Sequence, residues 1–292
     1  MKKIIKKMNM KKKKEMLKNS VLVHMLVAGF FLIISSCTPD EAQKITVSQE
    51  LVMADEFDTD NEINADIWTF DIGTGSNGWG NNEEQFYTNR TENISVQNGI
   101  LIIKALKEDY NGSDYTSSKI LTKGLKEQAY GRFEARIQLP TGQGMWPAFW
   151  LLGANCGDGT ADTEVWPNCG EIDIMEYRGQ DPTVVHGSVH GPGYAAGNAI
   201  TKSYVLENDR FDTGFHVFGI EWSPEYINYY VDDVLYNQIT RDQVLKKGAW
   251  VFDQPFYIII NLAVGGDFIG APNAETIFPQ TMLIDYVRVY KN

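Results

Sequence analysis

Three carboxylates crowd into one short run, Gly170-Glu171-Ile172-Asp173-Ile174-Met175-Glu176-Tyr177. Side chains at i and i+2 of a strand share a face, so Glu171 and Asp173 point one way while Ile172 and Ile174 point into a core. Strict alternation would then send Glu176 into that core, where a lone carboxylate costs several kcal/mol. A β-bulge, one extra residue near Met175, returns Glu176 to the side of Glu171. Bulges are enriched beside active sites because they re-aim side chains.

Acids gathered on one face repel one another and raise the pKa of at least one member, which is what a proton donor working near neutral pH requires. Hydrolysis of a glycosidic bond with retention needs such a pair, a nucleophile and a donor about 5–5.5 Å apart. Positions four apart along a strand are separated by roughly 13 Å, so two long glutamates must lean together over the shorter Asp173. The residues alone do not say which glutamate plays which part, and a solvated acidic edge strand would show the same alternation.

Aromatic residues favour the chemical reading. Indole faces stack on the C–H faces of sugar rings and leave the hydroxyls to polar neighbours. Trp146 and Trp150 are four apart in Gly144-Met145-Trp146-Pro147-Ala148-Phe149-Trp150, and Trp166 lies five residues before Glu171. Trp68, Trp222 and Trp250 are assigned to the core. His186, Ser188 and His190 alternate onto one face. No third ligand stands at a motif spacing for a metal, so they read as a polar face with His190 turned to substrate.

The elements that must position these groups are short strands. Gly99–Lys104, Arg132–Ile137, Phe215–Trp222, Tyr226–Val231, Val234–Tyr236, Pro255–Leu262 and Met282–Tyr290 alternate or are apolar throughout, with Gly, Asn, Asp and Pro between them. Asp232-Asp233 is placed for a two-residue hairpin turn. Thr240–Lys247 is the one stretch with a helical pattern. Period-2 patterning, many aromatics and frequent turn signals predict an all-β sandwich.

The first 36 residues stand apart. Nine lysines and Glu15 accompany a short apolar run, Val21–Ile34, ending in Ser35-Ser36-Cys37. That order describes an export signal, and the ending resembles the lipobox of bacterial lipoproteins. The resemblance implies cleavage before Cys37, a lipid on its thiol and a tether over residues 37–48, ahead of a single domain at 49–292. The expected location is the outer membrane or cell surface, and the expected state is a monomer. Without residues 1–36 the formal charge falls from −12 to −20. Such a surface disfavours nucleic acid and sulfated or carboxylated polymers and suits a neutral substrate. Cys156 and Cys169 flank a polar loop that a disulfide would close, in a compartment where disulfides persist; two free thiols remain the alternative.

In order along the chain, Asp55-Glu56-Phe57, Gly78–Thr88 (GWGNNEEQFYT), Tyr130–Arg136, Trp146–Trp150, Glu171–Tyr177, His186–Gly193 (HGSVHGPG), Asn261–Gly266 and Ile284–Tyr290 resemble glycoside hydrolase family 16, in its bulge-containing, laminarinase-like branch. The likeness runs from about residue 50 to the C-terminus. It implies a β-jelly roll of two curved antiparallel sheets with a substrate groove and an endo-acting, retaining β-1,3-glucanase that also takes mixed-linkage β-1,3/1,4-glucan. It makes Glu171 the nucleophile, Glu176 the acid/base and Asp173 the residue that tunes them, with no cofactor for catalysis. Trp146, Trp150, Trp166 and His190 fall along the sugar subsites, with Asn82 and Glu84 near the groove. A structural calcium is implied at Glu56, Gly99 and Asp285. Lys119 and Met53 depart from the pattern, where arginine and tryptophan are common. An agar- or carrageenan-cleaving relative and a non-catalytic glucan-binding lipoprotein are the competing readings.

Overall fold

The alternating runs become eighteen strands in two stacked sheets in the computed structural model, which describes residues 50–60, 62–160 and 162–291. The expected signal peptide, Cys37 and the tether lie outside the described residues. Among the described residues no helix is long and apolar enough to cross a membrane.

The eight-stranded sheet carries the acids. Its order is Ile200–Val205, Val184–His190, Glu171–Tyr177, Met145–Gly153, Phe256–Val264, Lys119–Leu121, Thr69–Phe70, with Glu127–Gln128 also paired to Phe256–Val264. The ten-stranded sheet runs Val234–Thr240, Tyr226–Val231, His216–Trp222, Gly131–Gln138, Gln280–Lys291, Ile100–Tyr110, Ser113–Ser117, Gln85–Tyr87. Glu50–Asp55 joins it beside Gln280–Lys291, and Ile94–Gln97 beside Ile100–Tyr110. Every pairing is antiparallel except Gln85–Tyr87 with Ser113–Ser117, which run parallel. The fold is a β-jelly-roll sandwich.

The core lies between the sheets. Phe149, Leu151, Ile172, Phe256, Ile258, Ile260 and Leu262 face Phe133, Ala135, Ile137, Ile220, Trp222 and Val287, all buried. Each large side chain contributes about 1.5–3 kcal/mol of burial. Trp222 meets Phe256 edge-on at 5.1 Å, and Trp68 and Trp250 are buried as expected. Phe256–Val264 is buried along its whole length because both of its faces are covered. On the side away from the main core, Tyr257 and Ile259 join Leu121, Trp150 and Leu152 in a second small cluster.

The local signals hold. Asp232 and Asp233 take φ of 48° and 63°, the left-handed pair that a two-residue hairpin turn needs. The helix is one turn, Arg241–Leu245, started by a capping box between Thr240 and Gln243.

The expected calcium ligands are otherwise engaged. Arg288 grips Glu56 through two hydrogen bonds at 2.7 and 2.8 Å, and Arg136 donates to Asp285 at 2.6 Å. A calcium ion at Glu56, Gly99 and Asp285 would have to compete with these guanidinium groups for both carboxylates or draw on backbone oxygens.

Candidate active site

The bulge is present where the acids require it. Asp173 pairs with Ser188 and Glu176 with His186, so Ile174 and Met175 together oppose the single residue Gly187. On the other side Trp150 faces Asp173 and Phe149 faces Met175, leaving Ile174 as the extra residue. Both bulge side chains enter the core. Gly187 is needed at this point: a Cβ there would collide with the ring of Tyr229 and the hydroxyl of Tyr236.

Cross-strand register then lays out the open face in rows. Glu171 lies between Leu152 and His190, Asp173 between Trp150 and Ser188, and Glu176 between Ala148 and His186. Glu171 and Glu176 are partly exposed, and Asp173 is buried between them.

Each outer glutamate accepts an indole N–H. Trp166 Nε1 donates to Glu171 at 3.0 Å and Trp146 Nε1 to Glu176 at 3.1 Å. His190 Nε2 stands 3.0 Å from Asp173 Oδ2 and 3.7 Å from Glu171 Oε1. The nearer contact lacks the alignment of a full hydrogen bond. Its other nitrogen, Nδ1, accepts the backbone N–H of Ala196 at 3.1 Å, which leaves the ring proton on Nε2, facing the acids. One polar atom from each of Glu171, Asp173 and His190 lies within 4.8 Å of the other two, so the three side chains form one cluster.

Burial sets the electrostatics. Desolvation, helped by the neighbouring Asp173, pushes Glu171 and Glu176 up to about 8. Desolvation also pushes Asp173 up to about 7. The three do not ionise independently, so at neutral pH the cluster retains protons.

The remaining expected residues divide. Trp150 lies on the open face with its Nε1 donating to Asn261 at 2.8 Å. Trp166 is the most exposed of the three tryptophans, and its ring is 5.9 Å from His190. Asn82 and Glu84 touch none of the acids. Asn82 donates to Asp267 at 3.0 Å, and Glu84 lies against Gly265, on the loop that leans on Trp146. Cys156 and Cys169 are joined in a disulfide with Cα atoms 5.0 Å apart. His186 and Ser188 bond Ser203 and Thr201 at 2.9 Å, as a polar face would.

Sequence reasoning missed Phe268, whose ring sits 5.2 Å from Trp146, 5.6 Å from His186 and 4.1 Å from the Arg178 guanidinium, beside Glu176. It also missed Asn261, although a polar residue within the apolar run Phe256–Val264 was a usable signal.

Residues 81–288 match the family model for glycosyl hydrolases family 16. The chain belongs to that family. A β-glucanase of Rhodothermus marinus is 41% identical over 288 residues, covering 97% of each chain. The laminarinase catalytic domain of Thermotoga maritima superposes with a TM-score of 0.78 at 45% identity, over 84% of this chain and 98% of that one. The endo-β-1,3-glucanase of Pyrococcus furiosus gives 0.78 at 48% identity, over 83% and 94%. This family 16 member is a glycoside hydrolase.

Proposed function

We propose that the chain is an endo-acting, retaining hydrolase of β-1,3-glucan of the laminarin type, with mixed-linkage β-1,3/1,4-glucan as a second substrate. One observation carries the reading: the bulge at Ile174-Met175 brings Glu176 out on the face of Glu171, and each of these glutamates meets a tryptophan that a sugar ring can stack on. The likeness to laminarinases of known structure supports the linkage.

In this reading Glu171 attacks the anomeric carbon while Glu176 gives its proton to the departing glycosidic oxygen. Glu176 then takes a proton from the water that opens the glycosyl ester, and Glu171 leaves as carboxylate. Burial keeps Glu176 protonated near neutrality, as a donor requires. The Trp166 N–H and the nearby His190 favour the charged form of Glu171. The two glutamates have closely matched surroundings, so the division of roles rests on the motif. Asp173, buried between them, passes its influence to both through charge.

Release of reducing ends from laminarin, lichenan and agarose tests the proposal. Laminarin is expected to be cut fastest, lichenan measurably and agarose not at all. Preference for agarose would move the chain to the galactan-cleaving relatives, and binding to laminarin without release would make it a glucan-binding protein. Export with a lipid on Cys37 belongs to the same proposal and is supported by the residues before it. Incorporation of labelled palmitate that is lost in Cys37→Ser is the expected result.

A further inference from the structure

Glu83 is a partly buried carboxylate on which three side chains converge. It accepts hydrogen bonds from Gln85 Nε2 at 2.7 Å, Tyr87 Oη at 3.1 Å and Asn81 Nδ2 at 3.3 Å. Tyr87 and Gln85 are wholly buried. Burial raises the pKa of Glu83, while these donors and the charge of Lys119 pull it back down.

The bonds continue in one direction. Tyr87 Oη, having given its proton to Glu83, accepts from Asn261 Nδ2 at 3.1 Å. That fixes the Asn261 amide so that its oxygen turns to Trp150, whose Nε1 donates to it at 2.8 Å. An ionised carboxylate only accepts, so Glu83 sets the polarity of every link. Lys119 completes the surroundings. Its ammonium pairs with Asp71 at 3.0 Å and lies 4.3 Å from the ring of Trp79 and 5.4 Å from that of Trp150.

We propose that Glu83 is a positioning residue for glucan binding, which holds the Trp150 indole at a fixed angle on the open face through Tyr87 and Asn261. The inference rests on the glucanase reading, because it assumes that Trp150 stacks on a sugar of the substrate. A ring free to tilt about its χ2 loses part of that stacking before any bond is broken. The consequence falls on substrate affinity, since the chain of bonds ends at Trp150 and not at the acids.

The test is a double-mutant cycle on laminarin hydrolysis with Glu83→Gln and Trp150→Phe, which keeps an aromatic face but removes the N–H. Glu83→Gln puts an amide donor against the Tyr87 hydroxyl and Gln85. It is expected to raise KM on the order of fivefold, as loss of one oriented hydrogen bond does, with kcat within about twofold. In the Trp150→Phe background the same change is expected to alter KM by less than about twofold. Equal effects in both backgrounds, or a fall in kcat with KM unmoved, would overturn the proposal. Should Glu83→Gln not fold, Tyr87→Phe breaks the same relay at its centre and must give the same split and the same non-additivity. Wild-type turnover separates the two claims: no release from laminarin sinks the glucanase reading, whereas normal release with additive mutations sinks only the role of Glu83.

Discussion

The indole N–H of Trp166 meets Oε2 of Glu171 at 3.0 Å, and Trp166 stands three residues before Cys169, whose sulfur is joined to Cys156. The loop that the disulfide closes therefore ends on one of the two outer acids. Holding that loop restricts where the indole can go, and the indole in turn supplies a donor to the charged form of Glu171.

Cutting that tie has a readable effect. Cys156→Ser is expected to lower the melting temperature in oxidising buffer, in keeping with the roughly 2–4 kcal/mol that such a crosslink contributes, and to lower it no further when reductant is added. Scanning calorimetry of parent and variant with and without reductant measures it. Equal melting temperatures for the parent in both buffers would show that the bridge adds nothing.

Trp146→Phe keeps a ring over the groove but deletes the hydrogen bond to Glu176. That bond favours the charged carboxylate, so its loss raises the pKa of Glu176 further. The alkaline limb of the kcat/KM profile, where the donor loses its proton, is expected to move up by roughly half a unit to one unit. A limb that stays in place would take Glu176 out of the donor role.

The crowded acids also bear on stability. A carboxyl whose pKa is higher in the folded state binds more protons there than in the unfolded chain. Its contribution is therefore complete below its unfolded value and is lost as pH rises through the folded value. For Glu171 that window runs from 4.5 to about 8. Glu171→Gln removes the liability and is expected to raise the melting temperature by a few degrees at pH 8, with the gain vanishing near pH 4. Thermal melts across that range measure the difference, and a gain independent of pH would contradict the assignment.

Much of this site was legible in the sequence because its determinants are local. The period-2 alternation of Glu171, Ile172, Asp173 and Ile174, broken at Met175, demands a bulge wherever Glu176 is to avoid the core, and the bulge is there. Asp232-Asp233 and Thr240 announce their turn and cap for similar reasons. What escaped depends on contacts between distant segments. Glu83 is linked to Trp150 by hydrogen bonds through Tyr87 and Asn261, which no spacing predicts. Phe268 reaches Trp146 and His186 from a loop whose path is set by the folded sheet. The pairing of Arg288 with Glu56 and of Arg136 with Asp285 escaped likewise, because motif positions do not reveal which side chains lie opposite.

If Glu171 is the nucleophile, its removal should abolish the reaction without disturbing the fold. Glu171→Ala is expected to lose several orders of magnitude in laminarin turnover while its circular dichroism and its solubility match the parent. Parent-like turnover would remove Glu171 from the chemistry.

The most direct test follows the covalent step itself. A 2-deoxy-2-fluoro β-laminaribiosyl donor with a good leaving group slows both steps through the electron-withdrawing fluorine, and slows release enough for the glycosyl-enzyme to be caught. Peptide mass spectrometry of the labelled protein is expected to find the sugar on the carboxyl of Glu171. A label on Glu176, or turnover of this donor through an inverted product with no adduct, would contradict the account.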